Sequence, residues 1–238
     1  MSTLLSIVQR FCKRSGVPSP ATVTGSSDKQ ILQIMSLLEE EGEDLSSRHD
    51  WQSLTIEETH TTTAAEDQGD IDDIAPFGFR YIRNNTIWDR TDQLPVIGPM
   101  SGQEWQALKA VAVSGPRFQF RFRGNHLLVN PVPTAGHTWA FEYQSKNWIL
   151  DTNGTTTKSE FSADTDTLLL PDSLVMMGLR WRWLREKGLS YAELFNTYEV
   201  QVKDAMGRDG GKRRLYTDGN GQEIKPGIFV PNGNWTVP

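Results

Sequence analysis

The sequence predicts an α+β protein. An α-helical bundle is built from both chain ends (1–50 and 171–211), an antiparallel β-rich domain with one short helix is inserted between them (51–170), and an extended C-terminal arm follows (212–238). Three observations predict this class. Apolar residues recur at spacings of three and four near both ends, they alternate with period two in the middle, and residues 212–238 keep no period at all.

Ser2 or Thr3 is placed to cap a first helix with the stripe Leu4, Ile7, Val8 and Phe11, and Gly16 with Pro18 and Pro20 ends it. Ser27 with Gln30 reads as a capping box for a second helix, in which Ile31, Ile34, Met35, Leu38 and Leu45 keep helical spacing. The acidic run Glu39–Glu41 reads as a solvated face, and Asp50-Trp51 closes the helical region.

Leu54 and Ile56 then alternate with Thr55 and Glu57, and a threonine-rich tail, His60 to Thr63, favours extended backbone. Ala64 to Asp73 is polar, acidic and glycine-containing, which reads as a loop. Phe79 to Trp88 reads as a strand pair turning at Asn84-Asn85, and Asp92 to Pro99 as a connector. Ser101 and Glu104 form a capping box with Met100 and Trp105 as its staple, opening a short helix to near Val113. Phe118, Phe120 and Phe122 alternate with Arg117, Gln119, Arg121 and Arg123, and Gly124-Asn125 signals a two-residue hairpin into Leu127 and Val129. Pro131 and Pro133 end that strand, Trp139, Phe141 and Tyr143 mark the next, and a last one lies near Thr167 to Leu170.

Pro171 to Arg208 reads as two helices back to back. Leu174, Met177, Trp181 and Leu184 form one stripe and Met176, Leu179 and Trp183 a second, so the first of the two must be covered on several sides. Gly188 stops it. Ser190 with Glu193 reads as a capping box for the next, with Leu189 and Leu194 as staple and Tyr191, Leu194, Phe195, Tyr198, Val202 and Met206 as its buried face, ending at Gly207. The arm carries scattered apolar residues, Leu215, Tyr216, Ile224, Ile228, Phe229, Val230 and Trp235, among Gly, Pro and Asn. It is too apolar for an idle linker and too irregular for a helix, and so reads as a segment that orders against something else.

With 238 residues, 37% of them hydrophobic, the chain has enough apolar content for a proper core. The formal net charge is −6, and it is uneven: residues 51–170 carry 9 basic and 15 acidic side chains, whereas residues 171–238 carry 10 basic and 8 acidic. That balance argues against a general nucleic-acid clamp. The single cysteine, Cys12, excludes an intramolecular disulfide and favours a reducing compartment, and Met1 to Arg14 reads as neither signal peptide nor membrane span.

Chemistry-bearing motifs are sparse. His49, His60, His126 and His137 have no partners at metal-ligand spacing, and no CxxC or GxSxG occurs. Asp70-Ile71-Asp72-Asp73 lacks the glycine and distal glutamate of a calcium loop. Gly207 to Lys212 lacks phosphate-loop spacing and follows a helix instead of opening one. Hence no catalytic residue, metal or cofactor is assigned. Two basic groups remain as electrostatic contacts, Arg180, Arg182 and Arg185 on the first late helix and Lys212, Arg213 and Arg214 at the start of the arm, with an acidic protein surface favoured over nucleic acid as their partner.

The order of parts resembles the head-to-tail adaptor proteins of tailed bacteriophages, the family of tail tubular protein A and the tail accessory factors. The resemblance covers essentially the whole chain and rests on four stretches: Ile31 to Trp51, "TIWDRTDQLPVIGPMSGQEWQ" from Thr86, "GHTWAFEYQSKNWI" from Gly136, and "LPDSLVMMGLRWRWLREKGLSYAEL" from Leu170. It implies a non-enzymatic subunit, assembled in the host cytoplasm, that forms a twelve-copy ring under the portal protein and extends a channel through which double-stranded DNA passes without specific binding. It further implies that the helices and the arm engage the portal, while the β-rich part faces a tail nozzle, tube or fibre protein. On chemical grounds Tyr216, Ile228, Phe229 and Trp235 are the arm's anchors, being its largest apolar groups. A virion peptidoglycan hydrolase is the alternative, needing two converging carboxyls from among Asp89, Glu142 and Glu160. A nucleic-acid-binding module using the late basic residues ranks third.

Overall fold

The computed structural model describes residues 2–110 and 117–210. The arm, with Lys212, Arg213 and Arg214, and the last predicted turn of the short helix near Val113 lie outside the described residues.

Helix α1 (Leu4–Ser15) is capped by the Thr3 hydroxyl, which accepts from the Ser6 N–H, and closes on Gly16 at φ 70°. Helix α2 (Lys29–Arg48) is capped by Asp28, whose carboxylate accepts from the Gln30 N–H, in place of the expected Ser27 box. A 3-10 turn at Gln52–Leu54 leads into β1 (Thr55–Thr61). Then come β2 (Asp67–Asp70), α3 (Ile71–Ile74), β3 (Phe79–Ile82), β4 (Trp88–Asp89), β5 (Leu94–Pro95) and α4 (Gly102–Ala110). The hairpin of β6 (Gln119–Arg123) and β7 (His126–Asn130) precedes β8 (Thr138–Ser145), β9 (Ile149–Leu150), β10 (Thr157–Lys158) and β11 (Thr167–Leu168). Helices α5 (Asp172–Glu186) and α6 (Ala192–Arg208) complete the described chain.

All strand pairings among these elements are antiparallel. The largest sheet is organised on β8. Strand β1 pairs with it along seven residues, from Thr55↔Gln144 to Thr61↔Thr138. The other edge of β8 takes β3 (Ile82↔Tyr143) and then β4 (Trp88↔Ala140). The predicted hairpin at Asn84-Asn85 is therefore corrected. Asn85 adopts φ 62°, but the Arg83 N–H donates to the Glu142 carbonyl at 2.9 Å, so the chain steps along β8 instead of folding back on itself.

The predicted loop at 64–73 is also corrected, because β2 pairs with β7 and Asp70 caps α3. Its inward residue is Gln68, buried, with its amide donating to the Thr63 and Ala65 carbonyls. A strand whose inward position is polar carries no hydrophobic alternation. The Ser101–Glu104 box forms in both directions at 2.8 and 3.3 Å.

The Ser190–Glu193 box does not form. Tyr191 occupies the N-cap of α6 without a side-chain bond, and α6 runs past Gly207 to Arg208. The reason lies in the end of α5: Gly188 at φ 67° and a Leu189 N–H bond to the Leu184 carbonyl turn Leu189 outward, leaving it 55% exposed and unable to act as a staple.

Two cores result. One gathers α1, α2, α5 and α6, as the two-striped α5 sequence requires, together with Trp148, Ile149, Phe161, Leu168 and Leu170. The sheet β10-β9-β11 thus packs into the helical core, although the sequence assigns it to the insertion. The second core holds the inner faces of β3, β6, β7 and β8, with Phe120, Val129, Trp139, Phe141 and Tyr143 at its centre. No described helix is long and apolar enough to cross a membrane.

Gly42 of α2 lies against the Trp148 indole so closely that a Cβ there would overlap the ring. Gly42→Ala should therefore cost roughly 1–3 kcal/mol in urea unfolding. Gly207→Ala, with nothing within 4 Å, should be neutral or stabilising by up to about 1 kcal/mol.

Candidate functional site

The densest polar constellation joins α2, α5 and α6. On α2, Glu40, Asp44 and Arg48 share one face at spacings of four, and Glu41 points into the core. Glu41 is 0% exposed, which corrects the reading of Glu39–Glu41 as a solvated run. One turn before Arg182 on α5, Gly178 leaves the space that the Glu41 carboxyl fills, since a Cβ there would overlap it.

Arg182 spends its whole guanidinium inside this junction. Nε donates to Glu41 at 2.8 Å, Nη2 to Asp44 at 2.7 Å and Nη1 to Glu40. The other Glu41 oxygen accepts from the Tyr198 hydroxyl of α6 at 2.5 Å. Arg48 adds a second bridge to α6, reaching Glu199 at 2.5 Å while holding Asp44 at 2.8 Å. An open groove of about 490 Å³ lies over this network, lined by Glu43, Ser47, Arg80 and Trp181 among others. The Arg182 donors and both Glu41 oxygens are consumed within this network, so the arrangement rivets the three helices together.

Of the predicted electrostatic contacts, Arg182 is accordingly corrected: it is buried and internally paired. Arg185 is exposed, 3.7 Å from Glu40 and stacked over the Trp181 ring. Arg180 is half-buried. The arm residues Leu215, Tyr216, Ile224, Ile228, Phe229, Val230 and Trp235 lie outside the described residues.

A second cluster surrounds Asp89 of β4, also 0% exposed. One carboxylate oxygen accepts from the Thr91 and Asp92 N–H groups at 2.8 and 3.0 Å, and the other from Trp139 Nε1 at 3.0 Å and His137 Nδ1 at 2.9 Å. Burial opposes ionisation of Asp89, but His137, Trp139 and the two amides outweigh it and hold the carboxyl below its usual range. His137 is raised in turn, chiefly by its bond to Asp89. Asp89, Asp92 and His137 bring possible metal-ligand atoms within 4.8 Å of one another. Yet four donors already occupy the Asp89 oxygens, so the site is satisfied without an ion. The same saturation removes Asp89 as a hydrolase acid, and the other two candidate carboxyls, Glu142 and Glu160, are exposed.

Sequence reasoning missed both clusters. A faint signal existed in Arg182 and Gly178, the one charged group and the one glycine within the apolar run from Leu174 to Trp183 apart from Arg180. A buried arginine in such a run demands acidic partners.

No protein-family model matches the chain, and no curated protein matches it in sequence.

Burial pushes the Glu41 carboxyl up to about 7, outweighing the opposing bonds from Tyr198 and Arg182. A carboxyl raised in the folded state contributes stability that is fully present below its unfolded value of 4.5 and lost as pH rises toward about 7. Wild-type unfolding free energy should fall across that window by an amount on the order of 3 kcal/mol. Glu41→Gln, which cannot ionise, should flatten this decline in denaturant titrations at matched pH.

Proposed function

We propose that this chain is a structural head-to-tail connector of a tailed bacteriophage virion: a ring subunit, twelve copies in the assembly, that docks under the portal, extends the DNA channel and carries the nozzle, tube or fibre proteins. One observation carries the reading. Helices α1 and α2 from before the insertion meet α5 and α6 from after it in a single helical core, a β-rich insertion with its own core stands between them, and the described chain ends at Gly210, just past α6. This order of parts supports the resemblance to the adaptor family. A body held by internally satisfied ionic bridges suits a load-bearing part.

A ring of identical subunits needs heterologous contacts that close. A fully extended chain spans up to about 3.3 Å per residue, so a segment as long as 212–238 has length enough to span several tens of ångströms. Its apolar residues give it the chemistry of an anchor on another protein.

Native mass spectrometry of the protein, alone and mixed with a purified portal ring from the same source, tests the reading. The expected result is addition in about twelve copies to the portal, in keeping with the closed symmetry of ring assemblies. Removal of 212–238 should abolish that association while leaving the thermal unfolding midpoint unchanged. Failure of the intact chain to associate, or full affinity in the truncated one, would count against the connector and the arm respectively.

A further inference from the structure

Strand β1 lies at the end of the largest sheet and is paired, with β8, along one edge only. The Thr62 N–H donates to the His137 carbonyl at 2.9 Å, one step past the Thr61↔Thr138 pair. Antiparallel partners alternate between bonded and non-bonded pairs, so Thr61, Thr59 and Glu57 turn their backbone groups away from β8. All three residues are exposed. Among the described residues, the one group that meets those backbone atoms is the Glu58 carboxylate, which accepts from the Thr59 N–H at 3.1 Å.

A seven-residue strand with one open edge is a template for a further strand. Two occupants come from the chain itself. A second copy of β1 would bring Glu57 and Glu58 against their own counterparts, with no Lys or Arg on the strand to offset them. Like charges opposite one another destabilise strand pairing. The arm has the complementary chemistry. Residues 212–238 carry four basic and two acidic side chains, and Ile228-Phe229-Val230 is their only run of three apolar residues. Gly227 and Pro231 bracket that run, and Lys225 shortly precedes it. β-branched and aromatic side chains favour extended pairing.

We propose that Ile228–Val230 of a neighbouring copy pairs with the free edge of β1 and adds a strand to the sheet. Main-chain hydrogen bonds give such strand addition its affinity. The assignment rests on the connector reading in one respect, that the neighbouring copy is the next subunit of a ring. A ring needs two different patches on each subunit, one giving and one receiving. Here the arm gives and the edge of the insertion receives. The stretch from 210 to 228 spans up to about 60 Å when fully extended, length enough to cross a subunit boundary. Tyr216 and Trp235, on either side of the paired run, stay available to the portal.

Backbone amide resonances of the isotope-labelled full chain, titrated with a synthetic peptide of sequence 222–234, test the proposal. At about 1 mM peptide, the effective concentration a tethered segment supplies, the Glu57, Thr59 and Thr61 amides should shift. Their solvent exchange should slow by about twofold, the value for a half-occupied edge, while the amides of Ile56, Glu58 and His60, which face β8, stay unchanged. A peptide carrying Phe229→Pro, which lacks a ladder donor, should leave all of them unmoved. That comparison alters the peptide alone and so carries no folding risk. In the full chain, Thr59→Pro removes an edge donor without touching the β8 ladder and should abolish the response. The proposal is overturned if the edge amides ignore the peptide, or if the Phe229→Pro peptide acts as well as the natural one. Edge amides already slow in the dilute full chain would put the chain's own arm there and overturn the assignment to a neighbour. No portal enters the titration, so failure of edge pairing and failure of portal docking are read separately.

Discussion

Everything in the helical body depends on burying one carboxyl group. Glu41 sits at the meeting point of three helices, accepting from Arg182 of α5 and Tyr198 of α6. Taking a carboxylate and a guanidinium out of water costs several kcal/mol per ion before any return from their attraction. The return here rests on completeness. The Arg182 guanidinium meets three carboxylates, and each Glu41 oxygen has a donor. Break one partner and the remaining charge is stranded in a dry interior, so the three helices hold or fail together. An apolar junction would be more forgiving, but it would not fix the angle of α6 so narrowly.

The β-rich insertion uses the same logic with different chemistry. Asp89 is buried at the edge of a core otherwise made of aromatic rings, and it fastens the turn after β4 to His137 and Trp139 on the neighbouring segment. The rings of that core pack against one another with centroids 5.4 to 6.2 Å apart, among them Phe118 on Trp139 and Phe141 on Tyr143. In each core one carboxyl group with both oxygens bonded specifies orientation and the apolar mass supplies burial.

How much of this was legible in the sequence follows from what periodicity encodes. The four long helices, the β6–β7 hairpin and the aromatic face of β8 announce themselves because each has a regular apolar side. Strand β2 does not, since its inward residue is Gln68 and its pairing shifts register. Strands β9 and β10 are two residues long and show no alternation. The false hairpin at Asn84-Asn85 shows a further limit: a turn residue reports a local backbone state, and only the partner strand decides whether the chain reverses. For the functional residues the limit is sharper. A run of acids on a helix looks solvated unless the partner arginine, more than a hundred residues later, is placed beside it.

The first residues of the chain are stitched to a segment made far later. Thr3 bridges to Thr167, the Leu4 N–H donates to the Asp166 carbonyl, and the Ser2 hydroxyl reaches Asp172. During synthesis α1 and α2 therefore emerge with their apolar faces uncovered, and α5 follows only after the whole insertion. At about 5–20 residues per second that interval lasts on the order of ten seconds. Over that time the insertion, with its separate core, is the unit able to mature first, and the helical body closes around the finished chain. A folding order of this kind, centre before ends, couples completion of the helical body to the emergence of α5 and α6.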